Sequence, residues 1–196
     1  LKPKIVIIGL TGVSGVGKSS AAEVLRDSYR KGGNPARVIN LSDPMKKFCE
    51  EMFGFSYNSL YGPAEHRADP HPVTGVVPRL ALQQLGSWGR SLQLDLWLSH
   101  ALKTIDMLSK KGFTRFIIPD IRFRNEADKI KEIGGAIYRL KREGVKPQKT
   151  LKGGIKNHDS EVEQMKIPDS EFTKVITLGE NYYELIESAR EVGWFD

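Results

Sequence analysis

Apolar positions along the chain keep two alternating rhythms. Continuous, β-branched runs at 5–11 (IVIIGLT), 36–41 (ARVINL), 114–119 (TRFIIP), 136–140 (AIYRL) and 173–178 (TKVITL) read as strands. The first of them, apolar throughout, is the kind of strand that lies buried on both faces of a parallel sheet. Between the strands the period becomes helical. Leu94, Leu98, Ala101, Ile105 and Leu108 form one stripe over 94–111, and Tyr182, Leu185, Ile186, Ala189 and Val192 another over 181–192. A helix over 123–133 stops at Gly134-Gly135. A further helix follows Lys18, with Ala21, Val24, Leu25 and Ser28 on one face. Strands alternating with helices predict an α/β fold: a mostly parallel sheet of five strands covered on both faces.

One stretch breaks the rhythm. Residues 54–78, GFSYNSLYGPAEHRADPHPVTGVVP, carry prolines at 63, 70, 72 and 78, and connections of that length in compact domains are usually functional or disordered. We read the segment, with the helix that follows it, as an insertion covering an acceptor site over about 54–100. His66 and His71 lie five apart in it, a spacing that fits no recognised metal motif.

The chain has 196 residues, 39% of them hydrophobic, which suits a single domain spanning 1–196. No apolar run approaches the roughly 18 residues needed to cross a bilayer, and the apolar start leads straight into a glycine-rich loop rather than a cleavage site. The single cysteine, Cys49, excludes an internal disulfide and reads as buried filler in a helix; a cytoplasmic protein is expected, in host cytoplasm if phage-encoded. The net charge of +6 is concentrated in one place. Between Arg139 and Lys156 stand seven basic residues (Arg139, Lys141, Arg142, Lys146, Lys149, Lys152, Lys156) and one acid, Glu143, leaving 23 of each sign elsewhere. That pattern predicts a basic lid closing over phosphates, at about 139–160, rather than a broad nucleic-acid footprint.

Directly after the first strand comes Gly12-Val13-Ser14-Gly15-Val16-Gly17-Lys18-Ser19, the pattern G-x-x-x-x-G-K-[ST] between a strand and a helix. Its glycines let backbone N–H groups converge, and the helix start adds partial positive charge, so an anion belongs there. Lys18 would reach the β- and γ-phosphates of a nucleoside triphosphate, and the Ser19 hydroxyl would hold a magnesium ion. Asp120, at the end of RFIIP, is placed to support that metal through water. Arg122 and Arg124 would face the cleft, one of them pairing with Glu126 or Asp128 instead. The acid is followed by Ile-Arg-Phe rather than D-x-x-G, and no N-K-x-D occurs, which argues against a GTPase.

A phosphorylated acceptor needs cations rather than a strong base. Arg79 opens and Arg90 closes the segment PRLALQQLGSWGR, and each either grips an acceptor phosphate or pairs at the surface; Gly86 is expected to interrupt the helix between them. In LSDPMKK, Asp43 and Lys46 follow the second strand, Asp43 being either a site residue or a helix cap.

Taken together, GVSGVGKSS, LSDPMKK, PRLALQQLGSWGR with LDLW, IIPDIRFRNEA, GGAIYRLKR and NHDSE resemble, in that order and over about residues 4–190, the deoxynucleoside monophosphate kinases of the bacteriophage type. The resemblance implies a three-layer P-loop NTPase fold. It also implies transfer of the γ-phosphate of ATP, with Mg2+, to a deoxynucleoside 5′-monophosphate, giving the diphosphate. By position it implies ATP binding at Gly12, Val13, Ser14, Gly15, Val16, Gly17, Lys18, Ser19 and Ser20, and metal support by Ser19 and Asp120. Arg122 would act near the transferred group, with Arg139 and Arg142 on the lid. Lys46, Arg79, Gln84, Arg90, Asp95 and Trp97 would shape the acceptor pocket, with His158 and Glu161 at the lid's return. Trp97 serves either that pocket or the core. Tyr57, Tyr61, Trp88 and Trp97 offer stacking faces for a base. The rival readings are a small kinase of a phosphorylated acceptor without a base, phosphomevalonate-like or dephospho-coenzyme-A-like, and an NTP-dependent nucleic-acid-binding protein. Partners are expected to be small molecules, with no nucleic acid and no membrane; a homodimer is left open.

Overall fold

Six consecutive buried residues make β1 (Val6–Thr11) the centre of the sheet, hydrogen-bonded on both sides. A computed structural model of the chain describes residues 4–29, 36–148 and 150–196; Lys149, counted in the basic lid, lies outside the described residues. The remaining elements follow as α1 (Lys18–Ser28), β2 (Arg37–Val38), α2 (Asp43–Phe53), α3 (Tyr57–Tyr61), α4 (Pro78–Leu92), α5 (Leu96–Ser109), β3 (Arg115–Ile118), α6 (Arg124–Glu132), β4 (Ala136–Lys141), α7 (Asp159–Lys166), β5 (Lys174–Thr177) and α8 (Tyr183–Glu191).

The five strands run in the order β2-β3-β1-β4-β5, and every neighbouring pair is parallel. One face is closed by α1 and α8, whose Leu25, Leu185 and Ala189 pack with Ile8, Leu10, Tyr138 and Trp194. On the other face α5 and α6 lay Leu98, Ile105 and Ile130 against Phe116, Ile118 and Ile137. The result is a three-layer α/β fold, as the alternation predicts, of the P-loop type that the resemblance implies. A third, smaller apolar cluster, Cys49, Phe55, Leu60 and Ala81, joins α2, α3 and α4 into a lobe of its own. Cys49 is fully buried there, and burial pushes its thiol up.

Two sequence expectations change in the structure. β2 is shorter than the apolar run 36–41 because only Ile39 continues the ladder, donating to Ile117 O at 2.8 Å. Beyond Asn40, the N–H groups of Leu41 and Ser42 turn away to the carboxylate of Asp120. Gly86 does not interrupt α4, which runs unbroken from Pro78 to Leu92. The intrinsic cost of a mid-helix glycine, about 1 kcal/mol, is offset by packing. Gly86 O accepts the Trp97 indole N–H at 3.0 Å, and a side chain at Gly89 would strike the Trp97 ring at 2.3 Å. In a parallel sheet, ligands bind beyond the carboxyl ends of the strands where the connections diverge. β1 leads through α1 toward β2, β3 leads through α6 toward β4 on the far side, and the principal cavity opens at that divide.

Candidate active site

The loop between β1 and α1 turns through left-handed backbone at Gly15 (φ 81°) and Gly17 (φ 102°), and no side chain caps the start of α1. Lys18 arches back over the loop, its Nζ donating to Gly12 O at 2.7 Å and Val13 O at 2.9 Å. Burial, then the nearby Arg122, hold the Lys18 ammonium well below the usual lysine range. A buried cation beside uncapped amides favours an entering anion. From α7, Gln164 braces the base of the loop by accepting from Gly12 N–H at 3.2 Å.

This loop forms one end of a cavity of ≈ 720 Å³ lined by Ser14, Gly15, Gly17, Lys18 and Ser19. Asp120 and Arg122 extend from the carboxyl end of β3; Lys46 comes from α2; Arg67 from the insertion; Arg79, Gln83, Ser87 and Arg90 from α4; Trp97 from α5; and Phe123 and Glu126 from the start of α6. His158 to Glu161 close the ring. The proline-rich segment 54–78 contributes Tyr61 to Ala64 and Arg67 to the cavity wall. Residues Ala64–Ala68 of it form a 3-10 turn.

Several residues hold positions that suit the sequence reading. Asp120 accepts from Leu41 N–H, Ser42 N–H and Ser42 Oγ, which fixes its carboxylate in the cavity wall that Ser19 also lines. With three donors already bound, this carboxylate suits a metal held through water rather than directly. No group of three or more acidic, histidine or cysteine side chains stands ready for a metal among the described residues. Lys46 lies over the Tyr61 ring at 4.2 Å, and burial holds its ammonium below the usual range. Arg90 stacks on Phe123 at 3.5 Å and faces Glu126 Oε1 at 3.8 Å. His158 caps α7, its Nδ1 accepting from Ser160 N–H while Nε2 meets Ser87 Oγ at 3.0 Å. Burial holds the His158 imidazole below its ordinary value. Glu161, buried, pairs with Arg122 at 3.5 Å.

Other expectations are corrected. Gln84 is exposed on the outer face of α4, and its neighbour Gln83 lines the cavity instead. Arg79 is 8% exposed and its guanidinium donates to Lys152 O and Ala64 O, so its hydrogen bonds go to the lid loop and the insertion turn. Asp43 accepts from the Asn40 side-chain amide at 3.1 Å and is not in the cavity wall; Ser42 holds the cap position of α2. Asp95 accepts from Asn125 Nδ2 outside that wall. Tyr57 and Trp88 are exposed, at 73% and 57%, so that of the four expected aromatics only Tyr61 and Trp97 line it, beside Phe123. The arginines after β3 pair differently too: Arg122 with Glu161 and Arg124 with Glu171, while Glu126 takes the backbone N–H groups of Arg122 and Phe123.

The basic segment expected as a lid begins in ion pairs. Arg139 lies on β4, bound to Asp169 at 2.6 Å and to Gln164 O, and Lys141 shares the same carboxylate. One acid on the α7–β5 connection thus neutralises the two basic residues with which the segment begins, and they hold Asp169 below the usual carboxylate range. Arg142 sits beside Gly17, its guanidinium 3.4 Å from Tyr182 OH. Lys146, Lys152 and Lys156 are exposed. From the lid and its return the cavity receives Leu151 and residues 158–161, and the cations facing it come from elsewhere.

Gln83, Glu126 and Arg67 are among the wall residues that sequence reasoning missed. Gln83 accepts from Ile155 N–H at 2.7 Å, tying the lid loop to α4. Glu126, wholly buried, has its carboxyl pushed up to about 7, chiefly by burial. Its place in the run FRNEA carried a signal, since an acid three residues into a helix caps that helix's start. Arg67 came from a segment without periodicity, and nothing local marked it.

No family model matches the chain. An unliganded crystal structure of a sugar kinase from Janibacter sp. HTCC2649 aligns over 96% of this chain and 94% of its own, with 16% identity and a TM-score of 0.45, too low to carry an argument. A protein of Acanthamoeba polyphaga mimivirus, provisionally named a deoxynucleotide monophosphate kinase, is 33% identical over 195 residues, covering 93% of this chain and 95% of that protein. With nearly all of both proteins matched, the chain belongs to the same family of kinases as this viral protein.

Proposed function

We propose that the protein transfers the γ-phosphoryl group of ATP to a deoxynucleoside 5′-monophosphate, as the bacteriophage-type kinases do. The observation that carries this reading is the continuity of one ≈ 720 Å³ cavity from the loop with Lys18 and Ser19 to the aromatic and polar wall of Tyr61, Trp97, Arg90 and Phe123. Such a space can hold two substrates phosphate to phosphate. The name of the mimivirus relative supports the acceptor class.

In this reading Gly12 to Ser20 cradle the triphosphate through backbone N–H groups, and Lys18 turns from its carbonyl partners to the β- and γ-oxygens. Ser19, with Asp120 through water, would hold Mg2+, which supplies charge neutralisation at those oxygens. An oxygen of the acceptor phosphate bonds to the γ-phosphorus as the bridging bond to the β-phosphate breaks, and the electron pair leaves on ADP. Arg122, fixed by Glu161, stands where negative charge spreads during that exchange. The acceptor base lies against Tyr61 and Trp97.

The test is ADP release from MgATP against dAMP, dGMP, dCMP, dTMP, their ribo counterparts and phosphomevalonate, with products identified by mass. Diphosphate formation on one or more deoxynucleotides is the expected result. Turnover confined to phosphomevalonate would overturn the acceptor assignment.

A further inference from the structure

We infer that Arg67, delivered by the 3-10 turn of the insertion, is a phosphate-binding cation of this site. The inference rests on the reading of the cavity as a phosphoryl-transfer site and adds a residue to it. Arg67 Nη2 donates to Gly62 O at 3.1 Å, while its Nε is buried with no hydrogen-bond partner among the described residues. A buried N–H without an acceptor is rare and calls for a group to fill the place. The charges around it point to the kind of group. Arg79 and Arg122 repel Arg67, Lys18 and Lys46 also feel its field, and Glu161 is its principal attractive partner across the cavity. Glu161 is already paired with Arg122, and the Asp120 oxygens are held by Leu41 and Ser42.

Positive charge therefore exceeds negative at this point. An oxyanion placed among Lys18, Arg67 and Arg122 would accept from the orphan Nε and an adjacent Nη together, the paired geometry that guanidinium offers to phosphate. The turn is also held for the task. Gly153 (φ 74°) of the lid loop sits so close to Ala68 that a side chain there would meet the Ala68 backbone at 2.7 Å, and Arg79 bonds both Ala64 O and Lys152 O. Lid and α4 thus press the turn into the cavity, and Arg67 reaches the phosphates from the acceptor side.

The experiment uses inorganic tripolyphosphate, which has neither base nor sugar, titrated calorimetrically into the full chain and into Arg67→Ala, Arg67→Lys and Lys47→Ala. Lys47 is exposed and serves as the control. We expect Arg67→Ala to weaken binding about tenfold or more, Arg67→Lys to recover part of the loss, and Lys47→Ala to change nothing. The ligand-free melting temperature of Arg67→Ala should stay at or above that of the parent, since like-charge repulsion is relieved. Unchanged affinity in Arg67→Ala, or no measurable affinity in the parent, would overturn the inference; so would lost binding accompanied by a melting point several degrees lower, which marks a structural residue. Arg67-dependent binding with no turnover of any deoxynucleotide would instead overturn the acceptor reading and leave Arg67 standing.

Discussion

The loop end of the cavity is made by one run of eight residues, whereas the rest of the wall draws Lys46, Arg67, Gln83, Arg90, Trp97, Glu126 and Glu161 from six separate segments of the chain. In the first case the geometry follows from local backbone: left-handed turns at Gly15 and Gly17, then a helix whose start is left uncapped. In the second, each side chain's position depends on the phase of its helix and on which neighbour reaches it first. A site encoded in one run survives reading by pattern; a site assembled from many segments is lost to errors of a single residue.

The sharpest break between the two ends is expected at Lys18. Lys18→Ala should lower turnover by roughly 10³-fold with the fold retained, because a cation positioned at the reacting phosphates has no substitute there. Circular dichroism and ADP-release kinetics on the same preparation check both halves of the statement. Turnover within tenfold of the parent would mean that the loop end is not where the triphosphate is held.

That contrast also separates what could be read from sequence. The alternation of apolar runs was enough for the five strands and the helices on both faces, because burial on a parallel sheet writes itself into contiguous residues. The family resemblance extended this to the cavity-lining Lys46, Arg90, Trp97, His158 and Glu161. It went wrong where two acceptable partners competed. Arg139 and Lys141 looked free for phosphate until Asp169, 28 residues beyond Lys141, was brought against both. Arg79 was sound as a buried cation of the site wall, but its donors go to carbonyls of the lid and the insertion. Arg67 had no local signal at all, since its role follows from like charges gathered by tertiary folding.

A second prediction concerns the acceptor end and its buried acid. Glu126 Oε2 accepts both backbone N–H groups at the start of α6, while Oε1 faces Arg90, and Asp120 is the nearby like charge. Its folded value of about 7 lies above the ordinary 4.5, so the folded state binds this proton more tightly than the unfolded state does. The associated stability is fully present below about pH 4.5, is lost as pH rises toward 7, and is flat above, with a total of about 3 kcal/mol. Glu126→Gln keeps a carbonyl oxygen for the two N–H groups and removes the titration. The difference in unfolding free energy between parent and variant, measured in urea at pH 5 and 7.5, should therefore move in the variant's favour at the higher pH. A difference independent of pH would place the Glu126 proton elsewhere.

The smallest effect tests helix phase itself, the point on which the two ends differ most. Gln83 and Gln84 are adjacent on α4 and chemically identical, yet only Gln83 enters the cavity wall and holds Ile155 N–H. One such hydrogen bond contributes about 0.5–1.5 kcal/mol. Gln83→Ala should accordingly speed hydrogen exchange at the Ile155 amide by roughly 3–10-fold, with no nucleotide present. Gln84→Ala, on the exposed face, should leave that amide unchanged and alter stability by no more than about 0.5 kcal/mol. Equal effects of the two substitutions would mean that α4 presents a different face to the lid. In that case Arg79, four residues before Gln83 and on the same side of the helix, would be released to bind a phosphate after all.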